Sequence, residues 1–231
     1  MEVIVSKGVL RYVVEVLLKY YGMDVSPEEF SVIKALRDEL SPLAALISVI
    51  LSQNTSDRNA IKALNNFVSR LGSKFDVDDL RRLSVTELED LIRPSGMYRL
   101  KANTILNLVK KGISNEVLIK EDPGKLKEIL SSIPGVGSKT IDVFLLMVRD
   151  YPTFPIDTHI RRVITRLGFI RRNEPYESIR AKVMKELPSN LYLKAHLVLI
   201  RHGREICKSR KPKCDSCPIR NICPKIDVMS R

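Results

Sequence analysis

The stretch Ser132-Ile-Pro-Gly-Val-Gly-Ser-Lys-Thr140, followed by Pro155-Ile-Asp157-Thr-His-Ile160, organises the rest of the chain. Upstream, Leu126, Ile129, Leu130 and Ile133 recur at helical spacing, and Pro134 ends that helix. Gly135 and Gly137 admit backbone angles that other residues resist. Ile141, Phe144, Leu145 and Val148 restart a helical stripe at once. The unit is therefore helix, tight glycine-rich hairpin, helix. The N–H groups of the hairpin and of the new helix's first turn lack partners within the helix, and the helix dipole is positive there. Such an end can hold a phosphate without reading base sequence. Gly135, Val136, Gly137 and Ser138 are the expected contacts.

Lys139 falls in the first turn of the second helix, where the dipole prefers an acid. An amine so placed should give up its proton more readily, as a nucleophile near neutral pH must. A lysine touching a phosphate fits equally well. Eighteen residues on, Asp157 has the position of a helix N-cap. Pro152 and Pro155 make an extended lead-in that would present its carboxylate. Capping is the plain reading. An amine paired with a carboxylate is the chemical one, as nucleophile with general base or electrostatic partner.

Ile-Pro-Gly-Val-Gly-Ser-Lys-Thr followed by Ile-Asp-Thr-His resembles the helix-hairpin-helix–Gly-Pro-Asp superfamily of DNA glycosylases. The form with a lysine is similar to endonuclease III. The resemblance runs from about Leu43 to Cys223. It implies an all-α fold of two helical domains flanking a DNA-binding cleft. The expected central domain is 40–150. The expected second domain joins 1–39 to 151–231 and carries a cluster loop at 207–223.

The net charge of +12 over 231 residues calls for a polyanionic partner, nucleic acid or anionic membrane. No apolar run is long enough to span a bilayer. The first residues lack the layout of a signal peptide, so an intracellular protein is expected.

Along the chain, residues 9–21 form an amphipathic helix stopped by Gly22. Residues 27–40 read as a more charged helix or turn. Ser41-Pro42 is a cap and first-turn pair for Leu43–Ser52, which is apolar nearly all round and suits a buried central helix. Gln53-Asn54-Thr55-Ser56-Asp57 interrupts it, and Arg58–Leu71 follows. The resemblance puts this turn on the DNA face, where an amide fills the gap left by an extruded base. Asn54 is the matching position. Family members usually carry glutamine there, so either Asn54 or its neighbour Gln53 is the gap filler.

Ser84-Val-Thr-Glu87 is a capping box. Arg93-Pro94-Ser95-Gly96 forms another hairpin before a helix that runs from Met97 toward Lys111. Met97 stands where the family carries an apolar wedge, with an ordinary core methionine as the competing reading. Helices are expected at 160–167, 176–187 and 191–206, and no stretch alternates long enough to claim a sheet.

Cys207, Cys214, Cys217 and Cys223, spaced C-x6-C-x2-C-x5-C, are the chain's only cysteines. So tight a cluster argues for a metal site over disulfides, and spacing alone leaves zinc and iron–sulfur open. The resemblance implies a [4Fe-4S] cluster. Between the first two cysteines, Lys208, Arg210, Lys211 and Lys213 form a basic loop pinned at both ends, suited to clamping phosphates. His159, His196 and His202 suit packing or bonds near the cluster better than catalysis.

The resemblance implies a base-excision glycosylase and abasic-site lyase acting as a monomer on damaged double-stranded DNA, with Lys139 attacking the sugar and Asp157 assisting. Oxidised or ring-saturated pyrimidines are the expected substrates. Two other readings stand beside it: a monofunctional adenine or thymine mismatch glycosylase, against which Lys139 argues, and a non-enzymatic DNA-binding scaffold, against which Asp157 argues.

Overall fold

Several helices start where the sequence supplies a side-chain cap. Ser41 Oγ accepts from Ala44 N (3.2 Å) and donates to Phe75 O (2.8 Å). Ser56, Ser84, Ser114, Asp122 and Asp157 cap helices in the same way. The computed structural model describes residues 8–22 and 29–228. Among these residues it contains thirteen α-helices and no strand. The chain divides into two compact units, Met1–Val25 with Pro152–Arg231, and Ser26–Tyr151.

The second of these units holds α2 (Ser31–Arg37), α3 (Pro42–Leu51), α4 (Asp57–Leu71), α5 (Val77–Arg81), α6 (Val85–Ile92), α7 (Tyr98–Lys110), α8 (Asn115–Lys120), α9 (Pro123–Ser131) and α10 (Ser138–Val148). As its composition demands, α3 is the central helix, and every residue from Leu43 to Leu51 is buried. The helices α2, α4, α7, α8 and α10 pack around it. Ala60, Ala63, Leu64 and Phe67 make the inward stripe of α4, and Phe67 stacks on Phe75 with ring centroids 5.6 Å apart. Each large side chain buried here contributes about 1.5–3 kcal/mol of transfer free energy.

The other unit holds α1 (Val9–Tyr21), α11 (Thr158–Arg166), α12 (Tyr176–Glu186) and α13 (Tyr192–Glu205). Leu10, Val13, Val14 and Leu17 form the buried face of α1, which packs on α12 and α13. α11 also packs on α13, and Gly203 makes their close approach possible: a β-carbon there would lie 2.8 Å from His159 Cβ.

Two details differ from the sequence reading. α2 packs on α3 and α4, so it sits with the unit 26–151 and not with the N-terminal helix, where a domain of 1–39 had placed it. α5 and α8 were not anticipated, because helices of five and six residues are too short to show a period. The capping box of Asp76 and Asp79 was the available signal for α5.

Candidate functional site

The hairpin between α9 and α10 closes with Val136 N donating to Ile133 O (3.0 Å). Gly135 takes φ +92°, which only glycine adopts easily, and a β-carbon there would collide with Thr104 of α7. Gly137 does not use this freedom. Its φ is −88° and the space around it is open. Val136 is 5% exposed and joins the hydrophobic core. Its N–H closes the turn and its side chain faces inward, so of the four expected hairpin contacts it has the least to offer a ligand. Gly135, Gly137 and Ser138 are exposed, and their N–H groups have no hydrogen-bond partner among the described residues. α10 begins without a side-chain cap, and Lys139, part-exposed, lies in its first turn. This is an anion-receptive helix end with an amine in it.

The turn after α3 separates the two amides that the sequence left as alternatives. Gln53 Nε2 donates to Gly135 O (3.3 Å) and to Thr140 Oγ1 (3.0 Å), so this side chain braces the hairpin. Asn54 is exposed and holds a left-handed backbone, φ +52°. Met97, at φ +48°, is 51% exposed, which excludes the core reading. Left-handed non-glycine residues at Asn54 and Met97 store backbone strain at both turns.

Lys101 was not singled out in the sequence. It lies on α7, is 3% exposed, and donates through Nζ to Leu51 O (2.8 Å) and Ser95 O (2.7 Å). It thereby joins the end of α3, before the Asn54 turn, to the turn that precedes Met97. Burial pushes its ammonium down to about 8.

In the other unit Asp157 caps α11, its Oδ1 accepting from Ile160 N (2.7 Å). Its lead-in from Thr153 to Ile156 is buried, with Pro155 O held 3.1 Å from His196 Nδ1. One and two turns further along α11, two arginines reach the cysteine loop. Arg162 Nε donates to Cys207 O (2.9 Å) and its Nη2 to Gly203 O (2.8 Å). Arg166 donates to Lys208 O (2.7 Å), to Ser209 O (3.1 Å) and to Cys207 Sγ (3.4 Å). The helix that Asp157 caps therefore holds the backbone of the basic loop. Lys208, Arg210, Lys211 and Lys213 on that loop are all exposed. Arginines embedded in the Ile160, Val163, Ile164 face were the sequence signal for this link.

None of the four cysteines forms a disulfide, and all four line one pocket with Val163, Leu167, Ile206 and Ile219. Four sulfurs around an apolar pocket suit a metal centre with four cysteine ligands, a single zinc ion or an iron–sulfur cluster. Burial pushes the thiols of Cys217 and Cys223 up. His202, 1% exposed, lies with Nε2 3.7 Å from Cys217 Sγ and Nδ1 3.2 Å from the Tyr21 hydroxyl. Burial pushes its imidazole down to about 4. His159 contacts Arg162 (3.2 Å), and burial lowers its pKa too. Each of the three histidines thus has a hydrogen-bonded place inside this unit.

A hairpin with open N–H groups and an amine beside it suits a protein that grips a polyanion, and the four-thiol pocket suits one that carries a metal cluster. Residues 47–189 match the family model for the HhH-GPD superfamily base excision DNA repair protein, and 207–223 match the iron-sulfur binding domain of endonuclease III. Endonuclease III of Sulfolobus acidocaldarius is 39% identical over 78% of this chain and 80% of its own. A non-covalent endonuclease III–DNA complex matches with a TM-score of 0.78 at 28% identity, covering 96% of this chain and 97% of that one. A trapped endonuclease III–DNA covalent intermediate with an estranged adenine matches with a TM-score of 0.77 at 27% identity, over the same shares of the two chains. The chain belongs to the HhH-GPD superfamily and, within it, to the endonuclease III family of base-excision DNA glycosylases. Its cofactor is a [4Fe-4S] cluster, which takes four cysteine ligands. The chain has only the four described here, Cys207, Cys214, Cys217 and Cys223. No helix among the described residues is long and apolar enough to cross a membrane.

Proposed function

We propose that this protein is a bifunctional glycosylase and abasic-site lyase in which Lys139 is the nucleophile and Asp157 its carboxylate partner. The observation that carries the reading is the amine in the first turn of an uncapped helix, directly behind a hairpin with open N–H groups. Backbone phosphates are gripped there and at the basic loop 208–213. The damaged nucleotide leaves the stack, Asn54 fills the gap, and Met97 wedges the neighbouring bases apart.

Lys139 Nζ, having lost a proton, gives its lone pair to C1′. The C1′–N bond breaks, and its electron pair leaves with the base, which takes up a proton. The carboxylate of Asp157 stabilises the positive charge that develops on the sugar. Opening of the C1′–O4′ bond gives an imine. The imine acidifies the C2′ proton, whose removal expels the 3′ phosphate and breaks the strand on the 3′ side. The cluster supplies a rigid clasp for the basic loop and takes no part in these bond changes. Oxidised or ring-saturated pyrimidines are the substrates, because lost aromaticity weakens stacking and makes extrusion cheaper.

Borohydride reduction tests the covalent step. Wild-type protein with abasic-site DNA and borohydride should give a protein–DNA product that survives denaturation, and Lys139→Ala should give none while still binding DNA. A monofunctional glycosylase would leave the wild type with almost no trapped product. Undiminished trapping by Lys139→Ala would move the nucleophile to another amine. A panel of duplexes carrying different lesions tests the substrate class, and efficient removal of a mismatched normal base in preference to damaged pyrimidines would overturn it.

A further inference from the structure

Gln53, the chain's only glutamine, sits in the DNA-facing turn but does not face outward as Asn54 does. Its amide reaches back to two points, the carbonyl of Gly135 at the hairpin's tip and the hydroxyl of Thr140 in the first turn of α10. Thr140 is 3% exposed and follows Lys139 directly. Gly135 is itself held against Thr104. An asparagine at 53, one methylene shorter, would not span both. We infer that Gln53 is a positioning residue, which fixes the orientation of the hairpin and of the Lys139 turn relative to the gap-filling turn.

This inference rests on the lyase reading above and makes a prediction that a gap-filling role for Gln53 does not. A residue that fills a gap in the duplex is needed only where there is a duplex. A residue that aims the amine is needed on any abasic site, single-stranded DNA included. Misplacing a nucleophile by about an ångström lowers its rate on the order of 100-fold.

The experiment measures single-turnover strand cleavage and borohydride trapping at saturating DNA, on an abasic site in duplex and in single-stranded oligonucleotide. Gln53→Met keeps the length and removes both donors. It should slow both substrates by similar factors, about 10- to 100-fold. Thr140→Val should slow both as well, and the double variant should be no slower than the worse single one. Asn54→Ala should slow the duplex alone. Hydrogen exchange should rise over 133–141 in Gln53→Met. Wild-type protein that traps nothing on either substrate overturns the lyase reading and this inference with it. Wild-type protein that traps while Gln53→Met slows only the duplex returns Gln53 to gap filling and overturns this inference alone. Rates unchanged on both substrates also overturn it.

Discussion

Thr104 Oγ1 occupies the space that a β-carbon on Gly135 would fill. The hairpin is thus built against α7 as well as between α9 and α10. Gly135→Ala meets both this collision and φ +92°, and should cost about 1–3 kcal/mol of stability. Gly137→Ala meets neither and should stay within about 0.5 kcal/mol of wild type. If phosphate approaches the hairpin backbone, the Gly137 methyl group should nevertheless weaken DNA binding. Urea unfolding and fluorescence-anisotropy titrations check the pair, and a stability loss shared equally by both variants would contradict it.

Lys101 is a buried amine with a structural task. Its folded pKa, about 8, lies below its ordinary value near 10.5, so between these values the unfolded chain binds more protons than the folded one. The burial penalty is fully present below about pH 8 and is relieved as pH rises through that window. Lys101→Met should leave the carbonyls of Leu51 and Ser95 without this donor, at a cost of about 2–4 kcal/mol. The stability advantage of wild type over this variant should widen from pH 7.5 to pH 9.5 in urea titrations. A difference that does not change with pH would mean that the amine is not shifted.

Asp157 has two duties that substitution can part. Asp157→Ala should lose the cap on Ile160 N and about 1 kcal/mol of stability. Asp157→Asn keeps an acceptor in place and should unfold like wild type. Both variants should turn over slowly, because both lack the charge. Wild-type turnover by Asp157→Asn would leave capping as the residue's whole role.

Arg166 should govern how firmly the cluster loop is held. Arg166→Met removes its bonds to the carbonyls of Lys208 and Ser209 and to Cys207 Sγ. The holoprotein should then lose its visible iron–thiolate absorption to a chelator faster than wild type. Bleaching at the wild-type rate would assign the loop's order to the cysteines alone.

Lys208→Ala with Lys213→Ala tests the exposed basic loop. Affinity should fall similarly on damaged and undamaged duplexes, and the log-affinity against log-salt slope should flatten by about 0.9 per lost phosphate contact. An unchanged slope would leave these charges as solvated surface.

Much of this protein was legible along one dimension. The caps at Ser41, Ser84 and Asp157 and the apolar run of α3 are set by neighbours in the chain, so periodicity and capping chemistry disclosed them. The hairpin with Lys139 and the spacing of the four cysteines were likewise local. What only tertiary structure decided is which side chains those local pieces share. In sequence, Gln53 and Asn54 are adjacent amides in one polar turn. Gln53 became a brace because folding brings Gly135 and Thr140 to it from more than eighty residues away. Nothing in the sequence sets Lys101 apart before Leu51 O and Ser95 O close over it, and Arg162 and Arg166 find the cluster loop more than forty residues downstream. A hydrogen bond is short and directional, whereas sequence separation carries no distance, so partners of this kind are fixed only when helices pack.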